Sequence, residues 1–195
     1  MEFFIQGKDD IPSELNRLGL LGIGAEVGVL QGHFAEKLLS GWHGKRLYLV
    51  DAWRHFPGAR DTNNAHEDGQ LANFSQTFRR VHPFGERAVI VRDLSAMAAQ
   101  LFPDHALDFV YIDAGHDYQN VMRDLEAWVP KVRIGGVVIG DDYTHGTWSH
   151  GAGGGPDTWT DFEVKPAVDE FVKAHGYRLG ITNEDIPQWW FRKDR

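Results

Sequence analysis

Phe109-Val-Tyr-Ile-Asp113-Ala-Gly-His116-Asp-Tyr118 and Gly135-Gly-Val-Val-Ile-Gly140-Asp141-Asp142-Tyr143 decide how the rest of the chain is read. Each is an apolar run, rich in β-branched residues, that ends in acid. This is the pattern of a parallel strand buried on both faces, with carboxylates at its carboxyl end. Asp113, Asp141 and Asp142 are therefore expected at one rim of an open α/β sheet, where ligands bind in the crevice outside the strand ends. Three hard oxygen donors suit a divalent ion such as Mg²⁺ better than zinc. The alternative is that these aspartates only cap the helices that follow them, a position at which helices favour Asp.

Working outward from this pair, Gly22-Ile-Gly-Ala-Glu26-Val-Gly28-Val-Leu-Gln-Gly32 reads as a strand entering a glycine turn. A helix over 33–41 follows, with Phe34 and Leu38 on one face and Gly41 closing it. Gly28 and Gly32 let a ligand approach the backbone, or serve tight helix packing alone. Arg46-Leu-Tyr-Leu-Val-Asp51 is a second strand, and Asp51 stands where an acid that binds ribose hydroxyls is expected. Glu26 and Asp51 thus form a carboxylate pair on neighbouring strand ends. A third strand over 86–93 closes on Arg92-Asp93.

Helices are expected over 11–20, 70–82, 94–101, 117–129 and 164–175. The second should bury Leu71, Phe74, Phe78 and Val81. The fourth should turn Val121, Leu125 and Trp128 inward and Arg123, Asp124 and Glu126 outward. Strands over 177–181 and 188–191 lie too close together for a helical crossover, so they should be antiparallel. The alternation of strand and helix gives an α/β fold with a mostly parallel sheet. Two long connections, 52–69 and 144–160, are candidate lids or substrate loops. Their aromatics Trp53, Phe56, Trp148 and Trp159 either stack on a ligand or anchor the loops to the body.

The 195 residues suit one domain, 1–195, with 1–20 as a helical lead-in. A net charge of -8 argues against a nucleic acid or an anionic membrane and for a small or neutral partner. The absence of cysteine excludes disulfides, thiolate nucleophiles and Cys-rich metal sites. The opening apolar run is too short for a signal sequence and no stretch approaches membrane-spanning length, so a soluble, cytoplasmic protein is expected.

With these residues in hand, the chain resembles the class I S-adenosylmethionine-dependent methyltransferases. Glu26-Val-Gly28-Val-Leu-Gln-Gly32 matches their first glycine motif, Asp51 closes the second strand, and Arg92-Asp93 closes the third. Ile112-Asp113-Ala-Gly-His116, Gly140-Asp141-Asp142-Tyr143 and Val164-Lys-Pro-Ala-Val-Asp-Glu-Phe171 look like the metal-dependent sugar O-methyltransferases of the mycinamicin, macrocin and novobiocin group. The resemblance implies a Rossmann-like, doubly wound, mostly parallel seven-stranded sheet with a C-terminal antiparallel strand pair. It implies S-adenosylmethionine bound by Glu26, Gly28, Gly32, Asp51, Trp53, Arg92, Asp93 and Asp113. It also implies Mg²⁺ on Asp113, Asp141 and Asp142, and His116 as the base that deprotonates a hydroxyl of a small-molecule or saccharide acceptor. A homo-oligomer stays open. The chain departs from these relatives in the glycine-rich insertion 144–160 and in Glu163, where relatives often carry glycine.

Chemistry supports the transfer. The sulfonium cofactor is a cation with a hydroxylated ribose and no phosphate, so it favours carboxylates at strand ends over an anion-cradling helix terminus. Vicinal hydroxyls chelate one ion, which admits catechols beside sugars. Three rival readings remain. A dinucleotide-dependent oxidoreductase is disfavoured because the spacing Gly24-x-x-x-Gly28-x-x-x-Gly32 is not Gly-x-Gly-x-x-Gly. A metal-dependent hydrolase or hydroxylase would add loop histidines such as His145 and His150 to the aspartates. A non-catalytic binding module would not need a base beside the metal site.

Overall fold

The computed structural model describes residues 2–58, 63–64, 66–149 and 159–195. The side chains of Trp148 and Trp159, His150, and residues 151–155 lie outside the described residues, as does part of each expected lid. Among the described residues no helix is long and apolar enough to cross a membrane.

Strands β1 (Ile23–Val27), β2 (Arg46–Asp51), β3 (Ala88–Arg92), β4 (Leu107–Ile112) and β5 (Val132–Gly140) are all parallel. The chain runs outward from β1 through β2 to β3, then returns to place β4 on the other side of β1 and β5 beyond it. That reversal between β1 and β4 makes a topological switch point, the place where an open α/β sheet receives ligands. The register aligns Val27 with Val50 and with Ile112, and Ile112 with Gly140. Gly28, Asp51, Asp113 and Asp141, each one position past or at a strand end, therefore reach the same rim.

Two further short strands complete seven, β8 (Gly180–Ile181) and β9 (Trp189–Arg192), numbered after the hairpin described below. They pair antiparallel, as expected, and β9 inserts between β5 and β8. Alternate residues of the central strands feed two cores, because a parallel strand is buried on both faces. Ala25, Val27, Val110, Ile112 and Val138 pack on α5 (Tyr118–Trp128) and α6 (Val164–His175). Leu47, Leu49, Phe109, Tyr111 and Ile139 pack on α1 (Ile11–Arg17), α2 (His33–Gly41) and the N-terminal Phe3 and Ile5. Trp190 donates through Nε1 to the Phe3 carbonyl at 3.2 Å, which ties this N-terminal arm to β9.

Three expectations need correction. Helix α3 (Glu67–Val81) does bury Val81, but Leu71 and Phe78 lie outside and Gln70, Asn73 and Thr77 lie inside. The cause is what α3 packs against. The glycine turn after β1 presents backbone carbonyls and a polar side chain, and Thr77 Oγ1 donates to the Leu30 carbonyl at 2.9 Å while Asn73 accepts from Gln31. Polar residues on that face give the turn's buried polar groups partners, as buried polar groups require.

Asp124, expected outside, is buried in α5. It accepts from Ser95 Oγ of the short α4 (Ser95–Ala98), which in turn accepts from Trp128 Nε1. Burial pushes its carboxyl up to about 6. The segment 144–160, expected as loop, begins and ends in an antiparallel hairpin of β6 (Gly146–Ser149) and β7 (Trp159–Phe162).

Candidate active site

On the β1–β2 side of the rim the chain turns tightly. Gly28 and Gly32 have φ of 89° and 76°, and Leu30 between them has φ of 51°. Glycine is required at 28 for a second reason: a Cβ there would overlap the carbonyl oxygen of Asp113, so β1 and β4 exit side by side with no room for a side chain. Asp51 holds the turn. Its Oδ2 accepts from the amides of Val29 and Leu30, both at 2.9 Å, and its Oδ1 accepts from the amide of Trp53 at 2.8 Å.

Trp53 is fully buried, donates from Nε1 to the Leu30 carbonyl at 2.7 Å and meets Phe74 edge-on, so its ring anchors the loop. Arg92 donates to the carbonyls of Ala52 and Trp53. Asp93 accepts from the amide of Leu94, one residue on. Glu26 is buried and its Oε2 lacks a hydrogen-bond partner among the described residues. Burial raises its carboxyl well above the ordinary range, and the nearby Lys8 only partly opposes this.

On the β4–β5 side, Asp113, His116 and Asp142 offer atoms that all lie within 4.8 Å of one another. His116 Nε2 is 3.0 Å from Asp142 Oδ2 and 3.9 Å from Asp113 Oδ1. Asp142 is brought there by a backbone in the left-handed region, φ 55°, directly after β5. Burial pushes the Asp113 carboxyl up, but the neighbouring His116 and the charge of Lys8 outweigh it and hold it below its usual value. None of the three rim aspartates caps a helix. Asp117 does so for α5, accepting from the Asn120 amide at 3.0 Å, which leaves Asp113 and His116 to the site.

The hairpin closes over His116. Phe162 at the end of β7 lies 4.8 Å from the imidazole between ring centroids, tilted by 37°. The Glu163 amide donates to the His116 carbonyl at 2.7 Å, and its carboxylate accepts from the Tyr118 amide. The hairpin that the insertion opens therefore ends beside His116. His145 is exposed and stands apart from the cluster.

Asp141 keeps different company from Asp142. Its Oδ2 accepts from Lys8 Nζ at 2.5 Å and from the Tyr111 hydroxyl at 2.9 Å, and its Oδ1 accepts from the Gln188 side chain and the Asp142 amide. Lys8, Tyr111 and Gln188 have no local signal in sequence. They come from a 3-10 turn (Lys8–Asp10), mid-β4 and the approach to β9, and only the folded topology joins them.

A profile described as a methyltransferase domain matches residues 25–143, more than half of the chain, from within β1 to just past β5. The chain belongs to this methyltransferase family. Membership decides against the oxidoreductase and hydrolase readings. No curated protein matches the sequence significantly.

Among solved structures, an O-methyltransferase from Bacillus cereus in complex with SAH is similar at TM-score 0.64 and 17% identity, covering 95% of this chain and 80% of that one. A putative caffeoyl-CoA O-methyltransferase from Staphylococcus aureus gives 0.65 and 13%, covering 95% and 82%. A putative rRNA-methylase from Clostridium thermocellum gives 0.64 and 13%, covering 98% of each chain. At such identities the likeness is one of fold, and the methyltransferase takes no substrate from these names.

Proposed function

We propose that this methyltransferase moves the methyl group of S-adenosylmethionine to a hydroxyl of a sugar, in a glycoside, natural product or polysaccharide. His116 serves as general base, and Mg²⁺ is held by Asp113 and Asp142. The observation that carries the reading is the approach of His116 Nε2 to both carboxylates at the switch-point rim, 3.0 Å from Asp142 and 3.9 Å from Asp113. The donor set fits the ion, since Mg²⁺ takes one or two carboxylates and completes its shell with water and substrate oxygens. S-adenosylmethionine supplies an electrophilic methyl on sulfur, and Mg²⁺ supplies charge that makes the acceptor hydroxyl more acidic.

The chain's own residues do the rest. His116 takes the hydroxyl proton as the oxygen attacks, and Asp142 at 3.0 Å orients the ring and stabilises the imidazolium that results. Phe162 and the β6–β7 hairpin exclude water from that proton transfer. Glu26 and Asp51 face the donor. Asp51 fixes the turn through three amides and keeps one lone pair, on Oδ1, for a ribose hydroxyl. The net charge of -8 supports a neutral acceptor over a nucleic acid.

The test is a mass-spectrometric screen of glycosides, catechols and RNA for a methyl increment, with S-adenosylmethionine and Mg²⁺ supplied and a chelator control. Methylated glycoside that disappears with EDTA and returns with Mg²⁺ is the expected result. A methylated catechol would move the acceptor class while keeping the site. Full turnover in chelator would end the metal part of the reading.

A further inference from the structure

Lys8 is the one long-range cation on the described rim that points between its carboxylates. Its Nζ is 2.5 Å from Asp141 Oδ2 and 3.3 Å from Asp113 Oδ2, and it sits over the rings of Phe34 and Tyr111 at 4.6 and 5.0 Å from their centroids. The segment that carries it is built into the body. Phe3 and Ile5 are buried, Phe4 donates its amide to Glu14 at 2.8 Å, Asp10 accepts from the Gln6 amide at 2.9 Å, and Trp190 holds the Phe3 carbonyl. An exposed lysine on a loose arm samples many rotamers, and this one is fixed by two carboxylates, two rings and an anchored backbone.

Asp113 therefore has two sides. Its Oδ2 faces Lys8, and its Oδ1 faces His116, on the side of Asp142. A dication between Asp113 and Asp142 would share Asp113 with Lys8. Around the notch, Asp113, Asp141 and Asp142 with the Lys8 ammonium leave a net charge of two negatives, which one dication balances. Without the ammonium the same groups would carry three, and the notch between Asp113 and Asp141 would stand open to a second ion.

We infer that Lys8 is a positioning residue for the metal: a tethered cation that fills the Asp113–Asp141 notch, so that the rim takes a single divalent ion between Asp113 and Asp142. It holds Asp141 out of the ligand set and weakens the attraction of the remaining pair for the ion. The inference rests on the metal reading above and assigns the selection of metal number to a residue 105 positions from Asp113 in sequence.

The experiment is Mn²⁺ binding to the full chain, counted by electron paramagnetic resonance and confirmed by Mg²⁺ calorimetry, for wild type, Lys8→Met, Lys8→Arg and the Lys8→Met/Asp141→Asn pair. Wild type should bind one ion. Lys8→Met should bind a second ion or bind the first about tenfold more tightly, because a unit charge is removed within a few ångströms of the site. Lys8→Arg, which restores the charge, should stay near wild type. Lys8→Met with wild-type stoichiometry and affinity would overturn the inference.

If Lys8→Met does not fold, the double variant decides. It removes one charge of each sign and should bind within about threefold of wild type, whereas a loss beyond about tenfold would make Asp141 a ligand and overturn the assignment. If wild type binds no ion, the metal reading fails separately. Gain of an ion by Lys8→Met would then still support Lys8 as the occupant, and no gain would remove it.

Discussion

Asp51 and Asp141 end neighbouring parts of the same rim and are satisfied in opposite ways. Asp51 bonds three backbone amides, the farthest of them 22 positions away in sequence. Asp141 bonds one neighbouring amide and three side chains, from Lys8, 133 positions before it, to Gln188, 47 positions after it. The first arrangement needs only the shape of a turn. The second needs particular side chains from three remote elements. Backbone donors are present in every sequence that can make the turn, so the β1–β2 half asks little of the sequence. The β4–β5 half depends on side chains particular to this chain, and in the proposed function it is the side that meets the acceptor.

The sharpest way to break this comparison is at the point where the halves touch. Gly28→Ala puts a methyl against the Asp113 carbonyl at a φ that disfavours L side chains, and should cost about 5 kcal/mol in urea unfolding. Unfolding at the wild-type midpoint would mean the two exits are not locked together there. Next in size is His116→Ala. It should lower kcat by about 10² to 10⁴ and remove the acidic limb of the rate profile, while calorimetry shows donor affinity nearly unchanged. A fall of less than about fivefold with the limb retained would shift the base elsewhere, His145 being the next residue to test.

Asp51→Ala probes the generic half alone. Loss of charge-assisted bonds should weaken donor binding by about 2 to 4 kcal/mol, and leave Mn²⁺ binding at the other end as it was. Loss of both together would show that the halves are one cooperative unit. The smallest effect is expected at the hairpin. Phe162→Ala removes one ring contact to His116, of about 1 kcal/mol, and should reduce kcat about fivefold with little change in donor affinity. No change in kcat would leave the hairpin as cover with no part in holding the base.

The same contrast explains what could be read before folding. β2 has the residue limits that its apolar run and terminal acid predict, and α2 and α6 those that glycine and periodicity predict, because these signals are local. Asp113, His116 and Asp142 were legible since each sits one to four residues past a strand end, where topology alone brings them together. Lys8 was not, because nothing near it in sequence marks a lysine in an acidic stretch as bound for a distant carboxylate.

The buried face of α3 misled for a related reason. Apolar periodicity assumes an apolar partner, and here the partner is a turn full of carbonyls. Asp124 hid likewise behind a rule that charged residues face out, which a bond from Ser95 overrides.

The tie between the N-terminal arm and β9 also has a meaning in the order of synthesis. A ribosome delivers Phe3 well before Trp190, and the bond between them spans 187 positions, so it forms only after all five parallel strands have been made. The strands from β1 to β5 can assemble as they emerge. A nascent chain therefore passes through a stage with its parallel sheet in place and its arm still unpinned, and β9 then does for the arm what a rivet does for a frame.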